Sequence, residues 1–153
     1  MSGEIWCQQV PSTVLPMTLL LEADPSEESI ASYLNGGWGY SAQIGEQLVA
    51  VCVVKPTSGS SAEIYNVAVD PNYQQQGVGS SLLRYVLDDL NRKQIDRVEL
   101  GTGTFGYQLT FYHRLGFRVD GVIKDHFLDN YPEPIFETGI QHKDMLRLYI
   151  QLG

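Results

Sequence analysis

The apolar and polar positions of Glu4-Ile-Trp-Cys-Gln-Gln-Val10 read as a first strand. Pro11-Ser-Thr then opens an apolar stretch that reads as a helix running to about Glu22. Asp24-Pro-Ser-Glu-Glu predicts a second helix: Asp24 caps it, Pro25 suits the first helical position, and Glu27 and Glu28 favour the first turn. Asn35-Gly-Gly37 should stop it. Residues 38–44 and 47–55 read as the arms of a hairpin around Gly45-Glu46. Residues 56–61 form a loop rich in serine, and residues 63–69 a central strand. Over 78–93 the period lengthens, and Leu82, Leu83, Val86, Leu87 and Leu90 share one helical face. Residues 96–101 predict a strand, 107–115 a helix, 117–127 a long strand, and 144–152 a strand that closes the sheet. Residues 129–141 are interrupted by prolines and predict an irregular loop on the substrate side. Neither an internal repeat nor a linker divides the chain. Its 153 residues are therefore expected to form one domain, 1–153, with a proper core.

The join between the central strand and the long helix is the most telling stretch. It reads Asp70-Pro-Asn-Tyr-Gln-Gln-Gln-Gly-Val-Gly-Ser-Ser-Leu-Leu83. A strand ends at an Asp-Pro turn, glycines follow, and a helix starts at once. The first turn of a helix has N–H groups without intrahelical partners, and the helix dipole adds positive potential there. Gly77 and Gly79 have no Cβ, so an anion can approach the backbone closely. Such a loop suits a phosphate or pyrophosphate. It is not a P-loop, because no Lys follows the glycines, and Leu82 occupies the third glycine position of the dinucleotide fingerprint.

Gln74-x-x-Gly77-x-Gly79 instead resembles the Q/R-x-x-G-x-G/A signature of the GNAT superfamily of N-acetyltransferases. A second segment, Leu109-Thr-Phe-Tyr-His-Arg-Leu-Gly-Phe117, is similar to that family's A-x-x-x-Y-x-x-x-G-F pattern, with Gln108 in place of the alanine. The resemblance covers roughly residues 60–120. It implies an α/β acyl-CoA N-acyltransferase fold: a mixed, mostly antiparallel sheet of roughly six or seven strands flanked by about four helices. It also implies acetyl-CoA as cosubstrate. The backbone of Val67, Ala68 and Val69 would pair with the pantetheine arm like an added strand. Gln74, Gln75, Gln76, Gly77, Val78, Gly79 and Ser80 would form the pyrophosphate grip, although Gln74 also reads as a simple loop residue. An Asn that commonly precedes the tyrosine helix in the family is missing, and Thr104 stands in that region. The tail Glu133-Pro-Ile-Phe-Glu-Thr-Gly-Ile-Gln-His-Lys-Asp-Met-Leu-Arg-Leu looks like that of a bacterial branch of unassigned members.

Acetyl transfer from a thioester to an amine needs three things: loss of the amine proton, donors for the carbonyl oxygen, and departure of the thiolate. The resemblance assigns the last task to Tyr112 as proton donor; packing beside Phe111 is the plainer reading of the residue alone. Glu63 is the base it suggests, acting through water, with a solvated strand-end charge as the alternative. Glu22, Asp129 and Glu137 are rival acceptor-side carboxylates. His113 and His126 read as surface or packing residues.

Composition narrows the partners. The formal net charge of −8 argues against nucleic acid and anionic membranes, and agrees with a cationic acceptor. Cys7 and Cys52 sit in strand-like contexts without metal-ligand spacing. They read as buried reduced thiols of a cytoplasmic protein that needs no metal. The expected activity is transfer to the primary amine of a small molecule, with a protein amine ranked second. A non-catalytic acyl-CoA-binding or sensing module is the alternative, and a homodimer is left open.

Overall fold

The computed structural model describes residues 3–153, so Met1 and Ser2 of the expected 1–153 unit lie outside the described residues. The first half of the chain contains β1 (Ile5–Pro11), α1 (Met17–Ala23), α2 (Glu27–Leu34), β2 (Trp38–Ile44), β3 (Gln47–Pro56) and β4 (Ser61–Val69). Then come α3 (Val78–Arg92), β5 (Arg97–Gly103), α4 (Tyr107–Arg114), β6 (Arg118–Ile123) and α5 (His126–Asn130). A short ribbon of β7 (Phe136–Glu137) and β8 (Ile140–Gln141) precedes β9 (Met145–Gln151). Seven strands form one sheet in the order β1-β2-β3-β4-β5-β9-β6. Within it β4 and β5 pair in parallel, and every other neighbouring pair is antiparallel. This is the mixed, mostly antiparallel α/β architecture that the motifs imply, with five α-helices among the described residues rather than about four.

Two cores sandwich the sheet. On one face, Leu82, Leu83, Val86 and Leu90 of α3 pack with Ala62, Ile64, Val98 and Leu100 of the central strands and with Phe117. On the other, Leu19, Leu20, Ile30 and Tyr33 of α1 and α2 pack with Val51, Val53 and Ala68. Strand β4 contributes to both faces through a bulge. Ile64 lies opposite Val54 and Asn66 opposite Val53, so Tyr65 has no partner on β3. One extra residue turns every later side chain to the other face. Ala62 and Ile64 therefore face α3, whereas Asn66 and Ala68 face α1 and α2. Val67 and Val69 are turned onto the α3 side.

Four local expectations need correction. The helix expected from Pro11 to Glu22 is broken. A 3₁₀ turn at Ser12–Val14 is followed by extended Leu15, and α1 begins only after Pro16, because the residue before a proline is driven out of the helical region. Ser26, not Asp24, caps α2: its hydroxyl accepts the Ser29 N–H at 3.1 Å. Asp24 is buried instead, where its carboxylate accepts from the Ser29, Tyr33 and Tyr131 hydroxyls at 2.7, 2.9 and 2.9 Å. The long strand expected over 117–127 stops at Ile123. Asp125 adopts a left-handed conformation, its N–H donates to the Asp144 carboxylate at 2.8 Å, and α5 follows. The stretch 129–141, expected to be irregular, holds the β7–β8 ribbon, turned at Thr138-Gly139 with positive φ at both residues. Among the described residues no helix is long and apolar enough to cross a membrane.

Leu82 is fully buried at the centre of the α3 contact. Leu82→Ala should cost about 2–5 kcal/mol, from lost burial plus the cavity left behind. The expected result is a lower urea midpoint with an unchanged m-value; a cost under about 1 kcal/mol would mean that α3 is not anchored through this residue.

Candidate active site

Strands β4 and β5 are in register from Ser61 and Arg97 to Ile64 and Leu100, and then they part. From there β4 runs on to Val69 against β3, and β5 runs on to Gly103 against β9. The facing edge of β4 beyond Ile64 is left without a strand partner. A cleft of about 660 Å³ opens there. Val67 and Val69 form one wall, Tyr73, Gln74, Gln75, Gly77, Gly79 and Ser80 the floor, and Tyr107, Phe111, Tyr112 and Arg114 of α4 the other wall. Its size is that of an ordinary small-molecule site.

The floor is shaped by its own sequence. Asp70 accepts the Asn72 N–H at 2.9 Å and turns the chain out of β4. The Gln74 side chain donates to the Val69 carbonyl at 3.2 Å and ties the loop to the strand. Gln75 and Gly77 are both left-handed, with φ of 61° and 81°. Gly77 is the N-cap of α3 and has no side chain to cap it. The first N–H to find an intrahelical acceptor is that of Ser81, bonded to the Gly77 carbonyl at 3.0 Å. The N–H groups of Val78, Gly79 and Ser80 precede it and have no such acceptor. At Gly79 a Cβ would lie 3.4 Å from Phe111 Cζ, an ordinary contact. Glycine here keeps the cleft clear rather than relieving a clash.

Of the residues singled out from sequence, Val67, Val69, Gln74, Gln75, Gly77, Gly79, Ser80 and Tyr112 come together around this one cleft. Ala68, Gln76, Val78 and Glu63 are not on its surface. Ala68 points to the opposite core and Val78 is buried beneath the loop. The Gln76 side chain folds back onto the Asn72 carbonyl at 3.3 Å. Tyr112 is 8% exposed. Burial pushes its hydroxyl well above the ordinary tyrosine value, and nearby Cys52 and Tyr107 add to the rise. It therefore stays protonated at neutral pH.

Glu63 lies where β4 and β5 are still paired, opposite Glu99. Its carboxylate is held by Arg147 at 2.9 Å, and the same guanidinium reaches Glu99 at 3.5 Å. Burial draws the Arg147 value down, but the Glu63 hydrogen bond and both carboxylates outweigh it and hold the guanidinium above its ordinary value. The Arg97 hydrogen bond holds Glu99 below the usual carboxylate range, with Arg147 contributing behind it and burial opposing. Of the rival carboxylates, Glu22 and Asp129 are exposed.

Glu137 is different. The β7–β8 turn brings it to His142, whose Nε2 lies 2.9 Å from Glu137 Oε1. His142 is 7% exposed, and its Nδ1 is buried without a partner. Phe105 stacks on its ring at 4.2 Å. A sequence reading that stopped at His113 and His126 misses this pair. The available signals were the glycines on either side of Thr104-Phe105 and the Thr138-Gly139 turn between Glu137 and His142. The cleft residues Tyr73, Gln108, Thr110 and Arg114 were also missed, since nothing but their neighbourhood marks them.

Comparison with known proteins agrees with the motifs. The model of the acetyltransferase (GNAT) domain matches residues 36–119. The uncharacterized N-acetyltransferase YvbK of Bacillus subtilis (strain 168) is 40% identical over 135 residues, which are 88% of this chain and 87% of that protein. The solved structure of an IAA acetyltransferase from Bacillus cereus ATCC 14579 superposes with a TM-score of 0.93 at 36% identity, covering 97% of this chain and all of that one (100%). A GNAT family acetyltransferase from Elizabethkingia anophelis, solved with acetyl-CoA bound, gives a TM-score of 0.91 at 38% identity, covering 97% of this chain and 98% of that one.

The Arg147 cluster carries a pH-dependent prediction. The folded-state value of Glu99 is depressed, so its pairing adds stability above the unfolded value of ~4.3 and loses it as pH falls through the folded value. Arg147 contributes to this behind Arg97, so Arg147→Met should lower the melting temperature at neutral pH, and by less at a pH below the depressed folded value of Glu99. An equal deficit at both pH values would show that Arg147 matters through packing alone.

Proposed function

This chain belongs to the GNAT superfamily of N-acetyltransferases, and we propose that it moves an acetyl group from acetyl-CoA to a primary amine, a small molecule ahead of a protein. What supports this reading is a single cleft that joins three features: a free strand edge, an uncapped helix N-terminus and a tyrosine hydroxyl. The acetyl-CoA bound to the Elizabethkingia relative adds the ligand class.

Each feature has its task. The amides of Val78, Gly79 and Ser80, with the positive end of the α3 dipole behind them, receive the pyrophosphate. Gln75 and Gly77 set the turn that aims them, and Gln74 and Gln76 brace the loop from behind. The free edge of Val67–Val69 offers backbone donors and acceptors to the pantetheine amides, as a neighbouring strand would. Held this way, the thioester is presented in fixed geometry, which supplies much of the acceleration. As the C–N bond forms and the C–S bond breaks, Tyr112 gives its proton to the leaving sulfur. Glu63 enters as the base suggested by the family pattern. Its carboxylate is already shared with Arg147, so it can act only by exchanging that partner for a water. The acidic surface, with a net charge of −8, suits a cationic amine. A thiol-release assay across a panel of small amines tests the reading; no release with any amine, from protein that binds acetyl-CoA, would favour a binding module.

Gly79→Val places two methyl groups on the cleft side of the helix start without a backbone clash. The fold should survive and acetyl-CoA affinity should fall by about tenfold or more, about 1.4 kcal/mol. Calorimetric titration reads this directly, and unchanged affinity in a folded variant would remove the loop from the phosphate grip.

Tyr112→Phe removes one hydroxyl and keeps the ring packed against Phe111 and Phe117. Turnover should fall by about 10²–10⁴-fold with cofactor affinity nearly unchanged. The loss should shrink for a thioester whose thiol is more acidic, since that group leaves without help. Turnover at the wild-type rate would leave departure of the thiolate to water.

A further inference from the structure

The Glu137–His142 pair has the construction of a proton acceptor. Nε2 of His142 sits 2.9 Å from Glu137 Oε1, an arrangement in which the imidazole donates to the carboxylate and leaves a lone pair on Nδ1. That Nδ1 is buried and has no partner in the protein. A buried polar atom without a partner is costly, and natural folds keep few of them. The surrounding chain is shaped to accommodate the pair. A Cβ on Gly103 would fall within 2.6 Å of both Cε1 and Nδ1 of His142, and one on Gly106 within 2.7 Å of both Glu137 carboxylate oxygens. Gly103 ends β5 at the open end of the strand divergence, and Gly106 is the N-cap of α4, whose residues wall the cleft. The pair thus abuts the short segment that links β5 to α4, next to the cleft but outside its lining.

We propose that Glu137 and His142, rather than Glu63 with its carboxylate already held by Arg147, together deprotonate the acceptor amine, with His142 Nδ1 taking its proton through one bridging water; this rests on the acetyl-transfer reading above. The balance is simple. An ammonium gives one proton to Nδ1 by way of the water, and the imidazolium so formed is held by the Glu137 carboxylate until the proton passes to solvent. The neutral amine attacks the acetyl carbonyl, the C–N bond forms and the C–S bond breaks. The second proton shed by nitrogen passes through solvent to the Tyr112 phenolate, replacing the proton Tyr112 gave to the departing sulfur. Phe105 shields the ring face at 4.2 Å, and Gly103 packs beside Nδ1. The groups facing His142 are Glu137, Phe105, Phe127 and Gly103, of which Glu137 is the titratable one.

The test uses His142→Gln and Glu137→Gln in the full chain, with melting temperature checked on each. Butylamine, protonated at neutral pH, and hydroxylamine, neutral there, serve as acceptor probes. The His142→Gln variant should lose about 10²–10⁴-fold in turnover with butylamine at neutral pH and little with hydroxylamine. The butylamine deficit should close as pH rises toward the amine's own value of ~10. Glu137→Gln should move the same way by less, and acetyl-CoA affinity should hold in both. A deficit equal for the two probes and flat with pH marks a structural role and overturns the proposal. Two readouts need no acceptor. Slow hydrolysis of acetyl-CoA should also fall in His142→Gln, and nitrogen NMR of the wild type should find the His142 proton on Nε2 at neutral pH. A proton on Nδ1, or unchanged hydrolysis, overturns it as well. Failure of the wild type to bind acetyl-CoA would instead sink the acetyl-transfer reading, and the base with it.

Discussion

Everything at the cleft depends on one departure from regular sheet geometry. Two parallel strands at the centre of the sheet share a short stretch of hydrogen bonds and then separate, at Ile64 on one and Leu100 on the other. An unpaired edge inside a sheet is normally a liability, because its N–H and C=O groups need partners. Here the bulge at Tyr65 accompanies the separation and turns Val67 and Val69 onto the α3 side. The divergence leaves a gap, and the bulge lines it with apolar side chains. The helix after β4 then points its uncapped N-terminus at the same gap. Strand edge, valine wall and glycine turn thus follow from the path of some twenty consecutive residues, roughly one strand–loop–helix unit.

The other face of the divergence is polar, and its charges are mutually satisfied. Arg147 serves Glu63 and Glu99 at once, while Arg97 serves Glu99 and Asp120. Asp24 is surrounded by three hydroxyls from α2 and from the segment before the β7–β8 ribbon. Tyr131 reaches it across most of the chain length and so fastens the tail segment to the first helices. Against this background, an imidazole nitrogen without a partner stands out because its neighbours lack none. Asn66 Oδ1 is the other such atom, beside the bulge, but its amide donates to the Leu20 carbonyl and the Tyr33 hydroxyl, which fixes it as a brace.

Much of this was readable in the sequence, where local chemistry decides the outcome. The leucine face of 82–90 and the Gly77-x-Gly79 turn placed α3 and its loop correctly, because helical period and glycine conformation are set by adjacent residues. The hairpin 38–55 was legible for the same reason. Where the reading failed, a distant partner decided. Asp24 looks like a helix cap, yet Tyr131 and Tyr33 draw it inward and leave the cap to Ser26. The strand expected through 127 ends early because Asp144, far along the chain, takes the Asp125 N–H. Glu63 was chosen by analogy of position, and the sequence carried no sign that Arg147 would meet it. The pairing of Glu137 with His142 needed the Thr138-Gly139 turn, whose two residues looked like part of a loop.

The place of β9 in the sheet has a consequence for biosynthesis. β5 and β6 never touch each other; both are joined through β9, which lies between them. The ribosome makes β9 after every other strand, so during synthesis β5 keeps one open edge and β6 both of its edges. β6 exposes Val119, Val122 and Ile123 even in the finished molecule. The nascent chain therefore carries a strand with two open edges and exposed apolar side chains for as long as β9 is missing. The helices and β1–β4 can settle early, but the half that bears His142 is completed by a strand inserted last, after translation has delivered it.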